Sequence, residues 1–579
     1  MNTANDLKNF LQSINRKSYP TYKSLRGAYK FSNFILSIDH VQGDPFASPS
    51  HISVKIPHSV ADFPTEYYKD SICRTTLADF LTRQFEKEIY RYSFRAKGSG
   101  KSGLISITHC GQEILSRTAC EITSQEIIAR FLVGFPANGR TINSPELEKI
   151  FFEFLPKCVE HAFFYKNTNT HQLKEAIFLA EDQTYIRQQL KIRKLAAFVA
   201  DGAILPRESG VSAKPMSNSV PFSSPESLRI TLDLPHHGSI TGMGIPCGIT
   251  LIAGGGYHGK STLLQALELG VYNHIPGDGR EYVITDDTAL KLRSEDGRFI
   301  KDVDISLFIN NLPNHKDTYC FCTEDASGST SQAAGIIEGI ESNCRLILLD
   351  EDTSATNSMV RDSFMQEVIC REKEPITPFL DRAVDLYKKL QISTILVAGS
   401  SGAFFHIADT IIQMDNYKPI DITTRTKALC AKYPLPESCP APFSLSDSKR
   451  IMTKPHGLQT ASHSRRHFST ESAPGTDRDE RIKVKTHGKR EFSIGKQDVD
   501  LRYIEQLIDT EQTSALGLLT KYACEHLIDG KKTVSEIAQI LADELSKNGL
   551  NKIMKNDMHC GYALPRIQEI YSCLNRIRR

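Results

Sequence analysis

Residues 254–262 read GGGYHGKST. Gly254, Gly259, Lys260 and Ser261 satisfy the pattern GxxxxGK[ST], in which glycines let backbone N–H groups curl around phosphates. The helix that follows adds positive potential at its N-terminus. In that chemistry Lys260 reaches the β- and γ-phosphates of ATP and Ser261 holds Mg2+, while Gly255, Gly256, Tyr257, His258 and Thr262 complete the cradle. Further on, LILLDED at 346–352 is an apolar run ending in acids. Asp350 suits Mg2+ held through water, and Glu351 suits polarisation of the attacking water. A strand that ends in two acids is common, and it gains specificity by following a full phosphate loop. ASGSTSQAAGIIEGIE at 326–341 opens a helix at Ser327 and Gly328, and that helix leads into the strand that ends at Asp350.

These side chains need a frame. ITLIA precedes the loop as a strand and STLLQALEL follows it as a helix. Apolar runs Ile249–Ala253, Tyr282–Thr285, Leu346–Leu349 and Thr394–Ala398 alternate with helical patterns, which predicts an α/β domain with a largely parallel sheet. A second GKS occurs in RAKGSGKSG at 95–103, but Arg95 stands where the pattern needs glycine. That stretch reads as a decoy; contact of a basic glycine loop with phosphates is the lesser reading.

The chain has 579 residues, 24% of them charged, and a net charge of +2. Such a composition suits several ordinary globular domains and singles out no partner. Its 14 cysteines include no CxxC pair. Cys320 and Cys322, the closest two, lack zinc-finger spacing, and scattered reduced thiols are the expectation. No apolar leader and no run of membrane-spanning length is visible, so a soluble cytoplasmic protein is expected. Residues 1–165 mix short strands with helix, including a strand at Phe31–Ile38 and a helix at Leu77–Tyr92. Residues 166–445 form the α/β block, with a polar loop near 209–228. Residues 446–497 read as a flexible basic linker, since twelve Lys or Arg stand against five Asp or Glu between Lys449 and Lys496. Residues 498–579 read as a small helical domain. There Thr533 and Glu536 fit a capping box, Gly549 stops that helix, and Arg566, Arg576, Arg578 and Arg579 flank an apolar stripe.

The long segments GGGYHGKSTLLQALELGVYNHIPGDGREYVIT, DASGSTSQAAGIIEGIE, LLDEDTSATNSMVRD and EPITPFLDR resemble those of the predicted ABC-class ATPases, a soluble, non-transporter group. YKSLRGAYKF, IDHVQGDPFASPS, GFPANGRTI, FVADGAILPR and DLRYIEQLID extend the resemblance over nearly the whole chain. It implies an ABC-type P-loop core, an α+β N-terminal domain and a small, mostly helical C-terminal domain. It also implies hydrolysis of Mg-ATP to ADP and phosphate, at sites completed by Ser327 and Gly328 of a second copy in a head-to-tail homodimer. In DTSATN, Asn357 takes the place of an acid. Two further departures bear on turnover. Ser400 stands where a switch histidine would follow TILVA, with His406 six residues on. No glutamine of the loop that normally senses the γ-phosphate is evident, and Asn310 and Asn311 are its weak substitutes. For a partner, the basic 449–496 run, the 95–103 loop and the terminal arginines point to nucleic acid, with RNA the first choice. The alternative is a nucleotide-gated protein-interaction switch with slow hydrolysis. A small-molecule site built on Asp44, Asp278 and Arg280 is the least favoured reading.

Overall fold

The computed structural model describes residues 1–361, 368–369, 373–434, 442–445, 449–455, 482–554 and 558–579. Its central sheet has six strands in the order Leu290–Leu292, Leu346–Asp350, Ser393–Val397, Ile249–Ala253, Thr410–Asp415 and Lys418–Asp421. The first five run parallel and the last turns back antiparallel. Buried on both faces, the inner strands are near-continuous apolar runs rather than alternating ones, as a covered parallel sheet requires. Ile347, Leu349 and Leu396 pack into one apolar layer. Leu346, Leu348 and Ile252 pack into the layer on the opposite face.

The expected strand near Tyr282–Thr285 exists, but in another sheet. Val283–Thr285 pairs antiparallel with Leu195–Ala200, beside Gly238–Pro246 and Arg229–Leu234. Its three buried residues fit a central parallel strand equally well, and only the pairing with Leu195–Ala200 decides which sheet it joins. The 209–228 stretch is not all loop, because Arg207–Ser209 and Ser212–Pro215 form a small hairpin.

The N-terminal part is a seven-stranded sheet covered by helices Ser71–Tyr90 and Leu155–Phe163. The strand anticipated at Phe31–Ile38 runs over Ile35–His40, because Phe31 N–H closes a turn onto Phe34 O. The 95–103 loop is packed against its neighbours. A Cβ on Gly103 would sit 2.1 Å from Ala96 O, and Lys101 N–H donates to Pro45 O. Its glycines serve close backbone approach.

The expectation of a flexible linker over 446–497 is corrected at both described ends. Val484–Thr486, Glu491–Ile494 and Gln497–Asp500 form an antiparallel meander whose Phe492, Ile494 and Val499 are buried with the C-terminal helices. The charges of that stretch alternate with apolar residues at strand spacing, so counting charge alone concealed a half-buried sheet. At the other end Arg450 is buried; its Nε donates to both oxygens of Glu341 at 3.0 Å. Arg465, Arg466, Arg478 and Arg481 lie outside the described residues. In helix Val534–Asn548 the Thr533–Glu536 capping box forms, and Val534, Ile537, Leu541 and Leu545 are buried. No helix among the described residues is long and apolar enough to cross a membrane.

Candidate functional site

The turn between Ile249–Ala253 and helix Lys260–Leu269 is built from backbone conformations that side chains resist. Gly254 has φ +141° and Gly259 has φ +96°. A Cβ on Gly254 would lie 2.5 Å from Met414 O, so close approach and left-handed backbone both require glycine there. Gly255, Gly256 and Tyr257 form the exposed tip. His258 is pinned instead to the next sheet strand: Asn416 N–H donates to its Nδ1 at 2.9 Å. That nitrogen is therefore an acceptor, so its 3.2 Å approach to Asp415 is no salt bridge in this tautomer.

No side chain caps the helix that starts at Lys260. Its first N–H groups are left for an anion, which also meets the positive end of the helix dipole. Lys260 Nζ folds back onto Gly254 O and Gly255 O at 2.7 Å each. Exposed Ser261, together with Thr262, borders the same cavity of about 570 Å3 as Asp350. A hydroxyl and a carboxylate are the hard oxygen donors Mg2+ prefers, so these residues fit the ion. Burial raises the Asp350 carboxyl, an effect opposed by the Asp352 N–H and by the Lys291 ammonium nearby.

Glu351 follows Asp350 and meets Ser400, which leaves the adjacent strand Ser393–Val397. Ser400 Oγ donates to Glu351 Oε1 at 2.5 Å. Gly399 and Ser400 N–H groups donate to Oε2 at 2.7 and 3.0 Å. Burial raises this carboxyl, but the Ser400 hydroxyl and the amides of Ser400, Gly399 and Ser401 outweigh it and hold the group below its usual value. The result is a fixed anion suited to orienting water and a weak proton acceptor. His406 lies in the short helix Phe404–Ile407, where its carbonyl accepts from Lys427 Nζ at 2.9 Å.

Ser327 and Gly328 open helix Gly328–Glu341, with Ser327 Oγ accepting from Thr330 N–H. The atoms nearest a Cβ on Gly328 belong to Asp296, Ser294 and Ala355, all outside the phosphate loop. Within one chain the structure thus brings Lys260, Ser261, Asp350, Glu351 and Ser400 to one end of the sheet and leaves Ser327 and Gly328 facing outward. Asn357 Oδ1 accepts from Ser329 Oγ, and Gln332 Oε1 accepts from Ala355 N–H, so this helix is tied to the turn after Glu351.

Of the two asparagines offered in place of the missing glutamine, Asn310 is committed within its own neighbourhood, to Ser306 O and Pro375 O. The strand beside Asp350 is Leu290–Leu292, and it is Arg293 and Ser294 that leave it, with Ser294 N–H bound to Thr353 O at 3.0 Å. Sequence reasoning also missed the contribution of 489–507. Lys489, Arg490, Arg502, Tyr503 and Glu505 line the cavity opposite Ser261 and Asp350. DLRYIEQLID carried that signal as a family segment with no chemistry attached. Arg293 donates to Glu505 at 2.7 Å, and Lys291 Nζ lies 3.7 Å from the same carboxylate. Among the described residues no carboxylate pairs with Lys489 or Arg490.

The terminal arginines, expected to face nucleic acid, mostly turn inward. Arg566 donates to Glu569, Asp287 O and Ala289 O, and Arg576 pairs with Glu295 at 2.5 Å. Arg579 is buried, and only Arg578 keeps an exposed side chain, paired with Glu324. Their spacing beside an apolar stripe marked a docking face, since the C-terminal helix packs onto the core through them. Asp278 and Arg280 are buried as well: Asp278 pairs with Arg207 at 2.8 Å, and Arg280 Nε donates to Leu205 O. Asp44 pairs with Arg140 at 3.4 Å. These three residues share no site.

Comparison with known proteins follows the same division. Residues 169–446 match the P-loop domain of the ABC ATPases, 4–166 match the N-terminal domain of the ABC-class ATPases, and 483–579 match the MRB1590 C-terminal domain. Uncharacterized protein MJ1628 of Methanocaldococcus jannaschii is 31% identical over 254 residues, which are 42% of this chain. The chain spans 55% of the length of that curated relative. Among solved structures, the ADP conformation of MJ1267, an ATP-binding cassette of an ABC transporter, is 13% identical. It covers 35% of this chain and 94% of its own, with a TM-score of 0.23. cbiO1 from Clostridium perfringens, part of the ABC transporter complex cbiONQ, is 14% identical over 42% of this chain and 92% of its own, with a TM-score of 0.25. The three matched segments follow one another in the order that the resemblance implied, so the chain belongs to the ABC-class ATPases composed of an N-terminal domain, a P-loop domain and a C-terminal domain.

Proposed function

We propose that the protein binds Mg-ATP, hydrolyses it to ADP and phosphate, and couples closure of a head-to-tail homodimer to binding of nucleic acid, with RNA the first choice. The observation that carries the reading is the cavity in which Ser261, Thr262 and Asp350 face Lys489, Arg490 and Arg502. Lys489 and Arg490, which pair with no carboxylate among the described residues, stand there beside the nucleotide machinery, where a phosphate-bearing strand would sense its state, while Arg502 is paired with Asp500 at 2.6 Å.

In this reading Lys260 leaves the loop carbonyls for the β- and γ-phosphates. Ser261 and Asp350 hold Mg2+, which when bound neutralises charge on the phosphate oxygens. Glu351 orients the attacking water once Ser400 Oγ rotates away from Oε1. Ser327 and Gly328 serve the site of the second copy, consistent with their outward placement. Glu351→Gln is expected to keep ATP binding and to trap the closed dimer, with turnover lowered by about a hundredfold or more. Wild-type turnover in that variant would remove Glu351 from the role, and a variant that stayed monomeric with ATP would remove the sandwich.

The deciding test is Mg2+-dependent ATP hydrolysis with and without mixed RNA at low salt, repeated with Lys489→Ala/Arg490→Ala. Stimulation that is lost in high salt and in the double variant supports coupling to nucleic acid. Turnover indifferent to RNA moves the reading to the nucleotide-gated protein switch and leaves the ATPase in place.

A further inference from the structure

The hairpin that leads into Ser327 holds a cluster with no part in nucleotide chemistry. Asp302, Cys320 and Cys322 each present one ligand atom, and the three atoms lie within 4.8 Å of one another. The Cys322 thiol donates to Asp302 Oδ1 at 3.2 Å and the Cys320 thiol to the same oxygen at 3.5 Å. Asp302 N–H donates to Cys322 Sγ at 3.3 Å. One intervening residue is the wrong spacing for a zinc finger turn. On an extended chain it is the spacing that sends both thiols to one face.

The opposing strand is shaped to meet them. Arg298–Val303 pairs antiparallel with Phe321–Ala326, but Ile300 faces Thr323 while Val303 faces Phe321. Lys301 and Asp302 therefore stand together against Cys322, a bulge in which Asp302 takes φ +56°. Bulges of this kind re-aim a side chain. Here the bulge turns the carboxylate and its own N–H toward the sulfurs. Burial and the neighbouring carboxylates push both thiols up, Cys320 to about 11, so the cluster keeps its thiol protons until a cation replaces them. Asp317 acts on Cys320 through its charge; Lys301 Nζ stands 3.6 Å from the same Asp302 Oδ1, and Arg579 acts on Asp302 through its charge. The other grouping of this type, Asp70, Cys73 and Glu181, has a single sulfur; Asp70 caps a helix and Glu181 pairs with Lys69.

We propose that Cys320, Cys322 and Asp302 form a binding site for a thiophilic divalent cation of the Zn2+ class, which staples the hairpin whose second strand runs directly into Ser327. Two thiolates and one carboxylate supply three ligands and leave a fourth position for water or Asp317. Sulfur ligands select Zn2+ over Mg2+, so this site and the Ser261–Asp350 site take different ions. Binding releases the two thiol protons to solvent.

The test uses the reduced full-length protein with Co2+ as the probe, read by its thiolate-to-metal charge-transfer absorption. One equivalent of Co2+ per chain, displaced by Zn2+, is expected in the wild type. The band should vanish in Cys320→Ser/Cys322→Ser, and affinity should fall about tenfold or more in Asp302→Asn, which keeps a residue at ease with positive φ. ATP binding by these variants reports that the fold is intact. Absence of the band in the wild type overturns the proposal, and so does a band that survives the double substitution. A Cys320–Cys322 disulfide formed in air by protein that takes up no metal after reduction overturns it equally.

Discussion

Lys260 and Arg566 are both cations at the first turn of a helix, and the molecule treats them differently. Lys260 Nζ rests on two carbonyls of an exposed glycine loop, and no side chain caps its helix. Arg566 is enclosed: its Nε donates to Glu569, its Nη1 to two core carbonyls, and its guanidinium lies over Tyr272. The first arrangement leaves donors waiting for a phosphate. The second uses its donors to hold the C-terminal helix on the nucleotide-binding core. A count of positive charge treats the two alike, whereas their exposure and partners separate ligand binding from assembly.

The widest test of this contrast is Arg566→Ala. Removing one partner of a buried charged network is expected to cost about 3–5 kcal/mol of stability. ATP affinity of the folded molecules should stay unchanged. Urea unfolding checks the first expectation and equilibrium ATP binding the second; a variant of native stability that had lost RNA binding would break the contrast. Lys260→Ala should do the reverse. Loss of its charge-assisted contacts should weaken ATP binding by about 3 kcal/mol, roughly a hundredfold in Kd, while stability moves by less than about 0.5 kcal/mol.

Glu268 sharpens the contrast from the acidic side. It sits on the phosphate-loop helix and borders the same cavity, where burial and then Glu505 raise its pKa from 4.5 to about 7, against Lys291, Arg280 and Lys489. A raised folded-state value means the protonated form is preferred. Its contribution to stability is complete below 4.5 and is lost as pH rises through about 7. Glu268→Gln should therefore be nearly neutral at about pH 4 and stabilise by roughly 3 kcal/mol at about pH 9, read as the difference in unfolding free energy. The smallest effect is expected from Ser400→Ala. It removes one of several donors to Glu351, so turnover should fall by about fivefold or less. Because that donor lowers the Glu351 pKa, the acid limb of the ATPase profile should move to higher pH.

Much of the nucleotide site was legible because its chemistry is local in the chain. GGGYHGKST contains its own turn, its own cation and the start of its own helix, and LILLDE contains both strand and acids. The family resemblance put Ser400 in the switch-histidine position after TILVA, without naming the residue that it meets. The pairing of Gly399 and Ser400 with one carboxylate was not legible, because it depends on the register between two strands. The flexible-linker reading failed at 482–497 for a related reason. The apolar residues there are few and acquire meaning only against the helices that cover them.

The sequence by itself determined the phosphate loop, the acids at the end of the next strand, the order of three domains and the family. Each of those rests on contiguous residues whose backbone preferences are satisfied within a few positions of themselves. Only the tertiary structure decided that Lys489, Arg490 and Arg502 line one cavity with Ser261 and Asp350, that Arg450 is a buried tie and Arg566 and Arg576 partly buried ones, and that Asp302 meets Cys320 and Cys322. Those outcomes depend on which surfaces are removed from water together. A charge or a thiol carries no mark in the sequence of whether solvent, a carboxylate or another strand will stand in front of it.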